Sequence, residues 1–139
     1  MNKTLILDGA VGTELIKRGL KLPLPLWSAS ANISHPEIIT KIHQDYIDAG
    51  SDIITTNTFR TTSWTYKKLG YGNRTAKIKA KESLDRAIDC AQKTKGAMMI
   101  AGSITTIEDC YKPEMYPGKN IAENHYDDLI NQMESKGCL

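Results

Sequence analysis

The sequence predicts an α/β protein built on a parallel sheet. Short apolar, β-rich runs alternate three times with amphipathic helical stretches. Glycines follow the helical stretches as stops, at Gly19, Gly50, Gly70, Gly96 and Gly137. Polar clusters follow the β-rich runs: Asp8-Gly9, Asn57-Thr58 and Gly102-Ser103. Strand–helix–strand repetition of this kind implies right-handed crossovers, and in barrels and open sheets alike ligands sit at the carboxyl ends of the strands. The three clusters therefore mark the face where chemistry is expected.

The elements follow in order. Thr4-Leu5-Ile6-Leu7 is an apolar run entering a tight turn at Asp8-Gly9, and reads as the first strand. A short helix over 13–18 ends at Gly19. Leu22-Pro23-Leu24-Pro25-Leu26-Trp27 is expected to be extended, because each proline removes a donor and restricts its predecessor. Ser34-His35-Pro36-Glu37 has the spacing of a capping box, with Ser34 as N-cap. Ile38, Ile39, Ile42, Tyr46 and Ala49 then form an apolar helical stripe. Residues 52–56 read as the second strand and 63–69 as a small helical patch. A long helix over 74–94 turns Ala76, Ala80, Leu84, Ala87, Ile88 and Ala91 inward. Residues 98–101 are the third strand. A polar loop leads to Asn120, read as the cap of a last helix with Ile121, His125, Leu129 and Met133 on one face. Cys138-Leu139 reads as the first step of a fourth strand.

Composition narrows the function. A chain of 139 residues with 40% hydrophobic content has the size of one domain and can build a core. A formal charge of +2 gives no broad electrostatic footprint for nucleic acid. No apolar run approaches the ~20 residues of a membrane helix, and the N-terminal apolar stretch is too short for a signal peptide. Three cysteines without a CxxC pair fit a reducing compartment, so a cytoplasmic location is expected. A complete eight-stranded barrel takes ~250 residues, more than the chain has. An anion site at the Asp8–Gly12 turn is disfavoured, since Asp8 would repel a phosphate and no lysine follows as in a P-loop.

Four segments in order resemble the homocysteine S-methyltransferase family. They are residues 7–15 (Leu7-Asp8-Gly9-Ala10-Val11-Gly12-Thr13-Glu14-Leu15), Leu26-Trp27-Ser28, residues 43–59 from His43 through Thr55-Thr56-Asn57-Thr58-Phe59, and Ala101-Gly102-Ser103-Ile104. The resemblance implies a partial (β/α)8 TIM barrel: the first three βα units plus the start of strand 4, with parallel strands. Residues 1–139 would be the N-terminal portion of a homocysteine-binding domain. The implied reaction transfers a methyl group to the thiol of homocysteine, giving methionine. The donor would be S-methylmethionine, S-adenosylmethionine, betaine or a methylated folate. The family's zinc holds the acceptor sulfur as thiolate through three cysteine ligands on later strands, beyond this chain. In the reading above, Cys90 and Cys138 fall on the lower face and Cys110 on the upper. A five-residue strand separates those faces by roughly 16 Å, whereas zinc needs its sulfurs at about 2.3 Å.

What the resemblance implies for this chain is the substrate-holding half. Asp8, with Gly9 beside it, would hold homocysteine through its ammonium group; Trp27 would line the pocket; Asn57, Thr58 and Ser103 would contact ligand. No residue is assigned a catalytic or metal-ligating role, and the chain alone is expected to be inactive. Gly9, Gly12 and Gly102 read as backbone requirements of tight turns. The loop Glu108-Asp109-Cys110-Tyr111 replaces the commoner Gly-Pro-Tyr-Gly ending, and its acids are candidates to receive a cationic donor. His35, His43 and His125 read as structural or surface residues. A reading of a different class is a non-catalytic remnant binding a small amino acid or a partner subunit. Open barrel edges would favour self-association.

Overall fold

A computed structural model describes residues 4–97 and 99–138. Its frame is a small parallel sheet with helices packed on it. Strand β1 (Ile53–Thr55) pairs in parallel with β2 (Met99–Ala101), Ile54 opposite Ile100. The first apolar run joins on the other side of β1 through one parallel bridge, Leu7 to Ile53. Asp8 N donates to Ile53 O at 2.9 Å, and Ile53 N donates to Ile6 O at 3.0 Å. The expected first strand is thus present as a paired segment and shrinks to a bridge in regular pairing. Leu5, Ile6 and Leu7 are all exposed. The α/β class and the parallel pairing are as the sequence predicts, and the arrangement is consistent with part of a barrel. Met98 and Leu139, expected in the third and fourth strands, lie outside the described residues.

Among the described residues six α-helices accompany the sheet: α1 (Val11–Lys17), α2 (Ala31–Ser34), α3 (Pro36–Asp48), α4 (Ser63–Lys67), α5 (Asn73–Gln92) and α6 (Lys119–Ser135). Two 3-10 turns, Trp27–Ser30 and Pro113–Met115, lie in the connections. Helix α5 touches every apolar cluster. Its Cys90 joins Val11, Leu15, Ile39 and Ile42 from α1 and α3. Its Leu84 and Ile88 meet Leu129 and Met133 from α6, with Ile100 of β2 against them. Its Ala76 and Ala80 lie against Tyr66 of α4. Alanines on this face let neighbouring backbones approach, while burying each leucine or isoleucine stabilises by roughly 1.5–3 kcal/mol. That exceeds the few tenths by which helix propensities differ, so the stripe decides the packing.

Local signals were less dependable than the stripes. The capping box does not form: His35 is the N-cap of α3, and Ser34 ends α2, where its hydroxyl donates to Ser30 O at 3.0 Å. Pro36 does occupy the first turn. Asn120 lies inside α6, whose N-cap is Gly118 at φ 96°. Ile121 is exposed, so the buried face of α6 is Ala122, Leu129 and Met133. The 22–27 segment is not extended throughout. It turns at the cis Leu24–Pro25 bond, and Trp27 N donates to Pro23 O at 2.8 Å. The helical stretch 27–34 that follows had no sequence cue. Thr62, not singled out beforehand, caps α4 by accepting from Thr65 N at 3.3 Å.

His43 is fully buried on α3, and neither ring nitrogen has a hydrogen-bond partner. Burial drives its pKa from 6.5 down to about 4. The folded state therefore binds fewer protons than the unfolded state between those values. This group costs no stability above pH 6.5, and its destabilising effect grows as pH falls toward 4, reaching about 3 kcal/mol. Urea titrations at pH 7 and pH 5 should show a larger loss of stability on acidification in the parent than in His43→Leu. Equal losses would mean that His43 finds a proton acceptor in solution.

The open edge beside Leu7 predicts association of the chain. Light scattering should report a mass above the monomer, reduced by Ile6→Lys, which places charge on that edge. A dilute, stable monomer with a cooperative melt would overturn this expectation.

Candidate functional site

The carboxyl ends of the strands meet at a short run of residues. Thr55 N and Thr55 Oγ1 donate to the two carboxylate oxygens of Asp8, each at 2.9 Å. Thr56 N donates to Ala101 O at 2.9 Å. Asn57 Nδ2 donates to Ser28 O at 2.9 Å and to Asn32 Oδ1 at 2.7 Å. Thr58 Oγ1 donates to Ser103 O at 2.7 Å and receives Ser103 N at 3.0 Å. Thr55 through Thr58 thereby bind the first segment, the 27–34 helical stretch and the end of β2 to one another.

A cleft of about 280 Å³ opens over this run. Gly9, Trp27, Asn57 and Ser103 all line it, together with Gly12 and Thr55. Four of the six residues expected at a ligand site are therefore brought together, from four separate parts of the chain. Asp8 is not in the wall; it is half-buried and bonded to Thr55, which is. Burial raises its carboxyl above the ordinary 3.8, opposed by the bonds from Thr55. Each oxygen accepts one bond from Thr55, and a carboxylate offers about four acceptor positions. Thr58 is also outside the wall and buried, tying the strand ends together. Neither Asn57 nor Thr58 caps a helix.

The glycines serve a purpose the sequence did not disclose. Gly9, Gly12 and Gly102 have no left-handed backbone. A Cβ on Gly9 would come within 2.7 Å of the Tyr46 hydroxyl, and one on Gly12 within 2.8 Å of Trp27 Nε1. Gly102 would meet Met133 Sδ at 2.5 Å. Close approach of a ring, rather than turn geometry, disfavours a Cβ at Gly9 and Gly12; at Gly102 the neighbour is a flexible methionine side chain. Trp27 itself is left-handed, at φ 52°, and at 36% exposure it presents its indole to the cleft.

Two further polar contributors were missed. Asn32 is fully buried and donates to Asn57 O at 3.1 Å and to Ser83 Oγ at 3.0 Å. Tyr46 was read only as part of an apolar stripe, yet its hydroxyl donates to Ala10 O at 3.3 Å. An asparagine in a short unpredicted helix carries no periodic signal; only the fold brings it to Asn57.

The acidic loop is already paired within the chain. Glu108 is buried, accepting from Trp64 Nε1 at 2.9 Å and from the Lys68 ammonium. Asp109 accepts from Tyr111 N at 3.0 Å and faces Arg60 at 3.9 Å. A buried carboxylate paired this closely is a loop anchor rather than a free docking charge. Among the described residues no three His, Cys, Asp or Glu side chains come together as a metal site. Cys90 and Cys138 are buried, whereas Cys110 is exposed.

Comparison with known proteins gives a consistent result. A family model described as homocysteine S-methyltransferase matches residues 5–136. Homocysteine S-methyltransferase 2 of Zea mays is 34% identical over 88 residues, 63% of this chain and 26% of that protein. Homocysteine S-methyltransferase of Escherichia coli (strain K12) is 30% identical over 110 residues, 72% of this chain and 34% of that protein. A selenocysteine methyltransferase of Astragalus bisulcatus is 33% identical over 85 residues, 61% of this chain and 25% of that protein. The crystal structure of the homocysteine methyltransferase MmuM from Escherichia coli, in metallated form, superposes with a TM-score of 0.81 at 23% identity. It covers 98% of this chain and 52% of that one. The chain thus spans about half the length of that solved structure, and its matches span between 25% and 34% of these curated relatives.

The Gly12–Trp27 contact is open to test. In a Trp64→Phe background, Gly12→Ala should displace the Trp27 indole and raise its quenching by acrylamide. The overpacking should also cost about 1–3 kcal/mol of stability. Unchanged quenching would show that the indole does not rest on Gly12.

Proposed function

Because the chain belongs to the homocysteine S-methyltransferase family, we propose that it is the amino-acid-holding half of a thiol methyltransferase barrel. In this reading it supplies the first three βα units of a (β/α)8 barrel and the approach to a fourth strand. The cleft over Thr55–Thr58 receives homocysteine, and the intact protein moves a methyl group to its sulfur to give methionine. The observation that carries the proposal is the convergence of Gly9, Trp27, Asn57 and Ser103 on one cleft at the carboxyl end of parallel strands.

The geometry supports a division of labour. Asp8, reinforced by Thr55, places negative charge behind the cleft wall, where it attracts the ligand's ammonium group. The glycines bring backbone to the cavity without Cβ atoms in the way. Trp27 offers an indole edge and face to the aliphatic part of the ligand. Holding the acceptor in one pose turns transfer into a problem of alignment. The zinc implied by the family does not fit the residues present: among the described residues no set of ligands is assembled. In this reading a metal that holds the acceptor sulfur would be bound by other strands of the barrel, and the chain alone is expected to form no methionine. The methyl donor, whether S-methylmethionine or another methylated cation or folate, would enter from the side those strands provide.

Trp27 reports on its own cleft. With Trp64→Phe removing the other indole, homocysteine should change Trp27 emission saturably. Asp8→Asn, which removes a negative charge close to the cleft, should weaken that binding by about tenfold. No saturable change, or the same affinity in Asp8→Asn, would defeat the assignment of this cleft.

A further inference from the structure

A second cleft lies away from the strand ends, between α5, α6 and the 61–63 turn, with a volume of about 260 Å³. That is roughly nine times the ~30 Å³ a water molecule occupies in the liquid, enough for a small organic molecule. Its wall carries both signs of charge. Lys77 of α5 stands on one rim with no ion pair among the described residues, whereas its neighbour Lys81 is held by Asp85 at 2.7 Å. Asp128 of α6 stands on the other side. Ser63 Oγ lies 3.3 Å from His125 Nδ1.

An unmet hydrogen bond gives the cleft a direction. Gln132 Nε2 donates to Asp128 O at 3.0 Å, which leaves the opposite oxygen, Oε1, buried and without a donor. A buried carbonyl oxygen left this way is destabilised, and a donor on a ligand would relieve it. An inorganic anion would satisfy Lys77 but leave Gln132 Oε1 without a donor and face Asp128. A simple cation would meet Gln132 and Asp128 but be repelled by Lys77. A molecule carrying an ammonium and a carboxylate close together meets every group. Between them, Ala80 and Leu129 provide an apolar patch.

We propose that this cleft binds a free α-amino acid with an aliphatic side chain. Its carboxylate faces Lys77 and the Ser63 hydroxyl, its ammonium faces Gln132 Oε1 and Asp128, and its side chain rests on Ala80 and Leu129. The site is separate from the strand-end cleft and does not depend on the methyltransferase reading.

Equilibrium dialysis with radiolabelled L-leucine tests it, since the method tolerates self-association of the protein. One saturable site per chain is expected. Lys77→Gln and Asp128→Asn, both at exposed positions, should each weaken binding about tenfold or more. N-acetyl-L-leucine, which lacks the ammonium, and L-leucinamide, which lacks the carboxylate, should compete poorly. Trp27→Ala should leave leucine binding unchanged. Absence of binding would overturn the proposal. So would loss of binding in Trp27→Ala with retention in Lys77→Gln, which would move the ligand to the strand-end cleft. Equal competition by the two blocked leucines would show that the paired charges are not recognised.

Discussion

Four consecutive residues, Thr55 to Thr58, hold the upper end of the molecule together. Between them they bond to three parts of the chain: Thr55 to Asp8, Asn57 to Ser28 and Asn32, and Thr56 and Thr58 to Ala101 and Ser103 at the end of β2. Three of the four are buried, so a partner lost from any of them leaves a polar group stranded at a cost of about 1–3 kcal/mol. This makes the register of the strand ends unusually well specified. The cleft is a consequence, because its walls are the segments this run gathers.

The helices supply the counterpart below. Helix α5 contributes to each of the three apolar clusters among the described residues, and its alanine face lets α3, α4 and α6 approach at once. It also carries Ser83, which receives Asn32 Nδ2 and so couples the helical layer to Asn57 and the cleft. The same side chain that fixes α2 on α5 therefore fixes the strand end. Packing and site geometry share one polar thread. The thread is buried along its length, which favours one arrangement over slipped alternatives.

Family membership and the site's geometry are distinct kinds of support. Similarity across residues 5–136 places the chain among the homocysteine S-methyltransferases. It does not say why Gly12 must be glycine or why Asp8 is half-buried. The structure answers both, through Trp27 Nε1 and through Thr55. Conversely, the parallel strands and the cleft alone would fit many small-molecule proteins of this class. The methyl-transfer reading needs the two together.

The sequence by itself determined the alternation of strands and helices, the buried stripe of α5, that of α3 apart from Ala49, which is its exposed C-cap, the helix stops and the face on which polar residues collect. These depend on periodicity and on the conformational limits of glycine, which act locally and are written in neighbouring residues. It misplaced the caps at Ser34 and Asn120, overlooked the 27–34 helical stretch, and gave no sign of Asn32. Capping depends on where a helix is forced to begin by what it packs against, and an isolated polar side chain has no period to reveal it. Only the tertiary structure decided that Asp8 meets Thr55, that Asn32 meets Asn57, and that Gly9 and Gly12 yield space to Tyr46 and Trp27. Those pairs are separated by 47, 25, 37 and 15 positions along the chain. Contacts at such separations exist only once packing has brought distant segments into register.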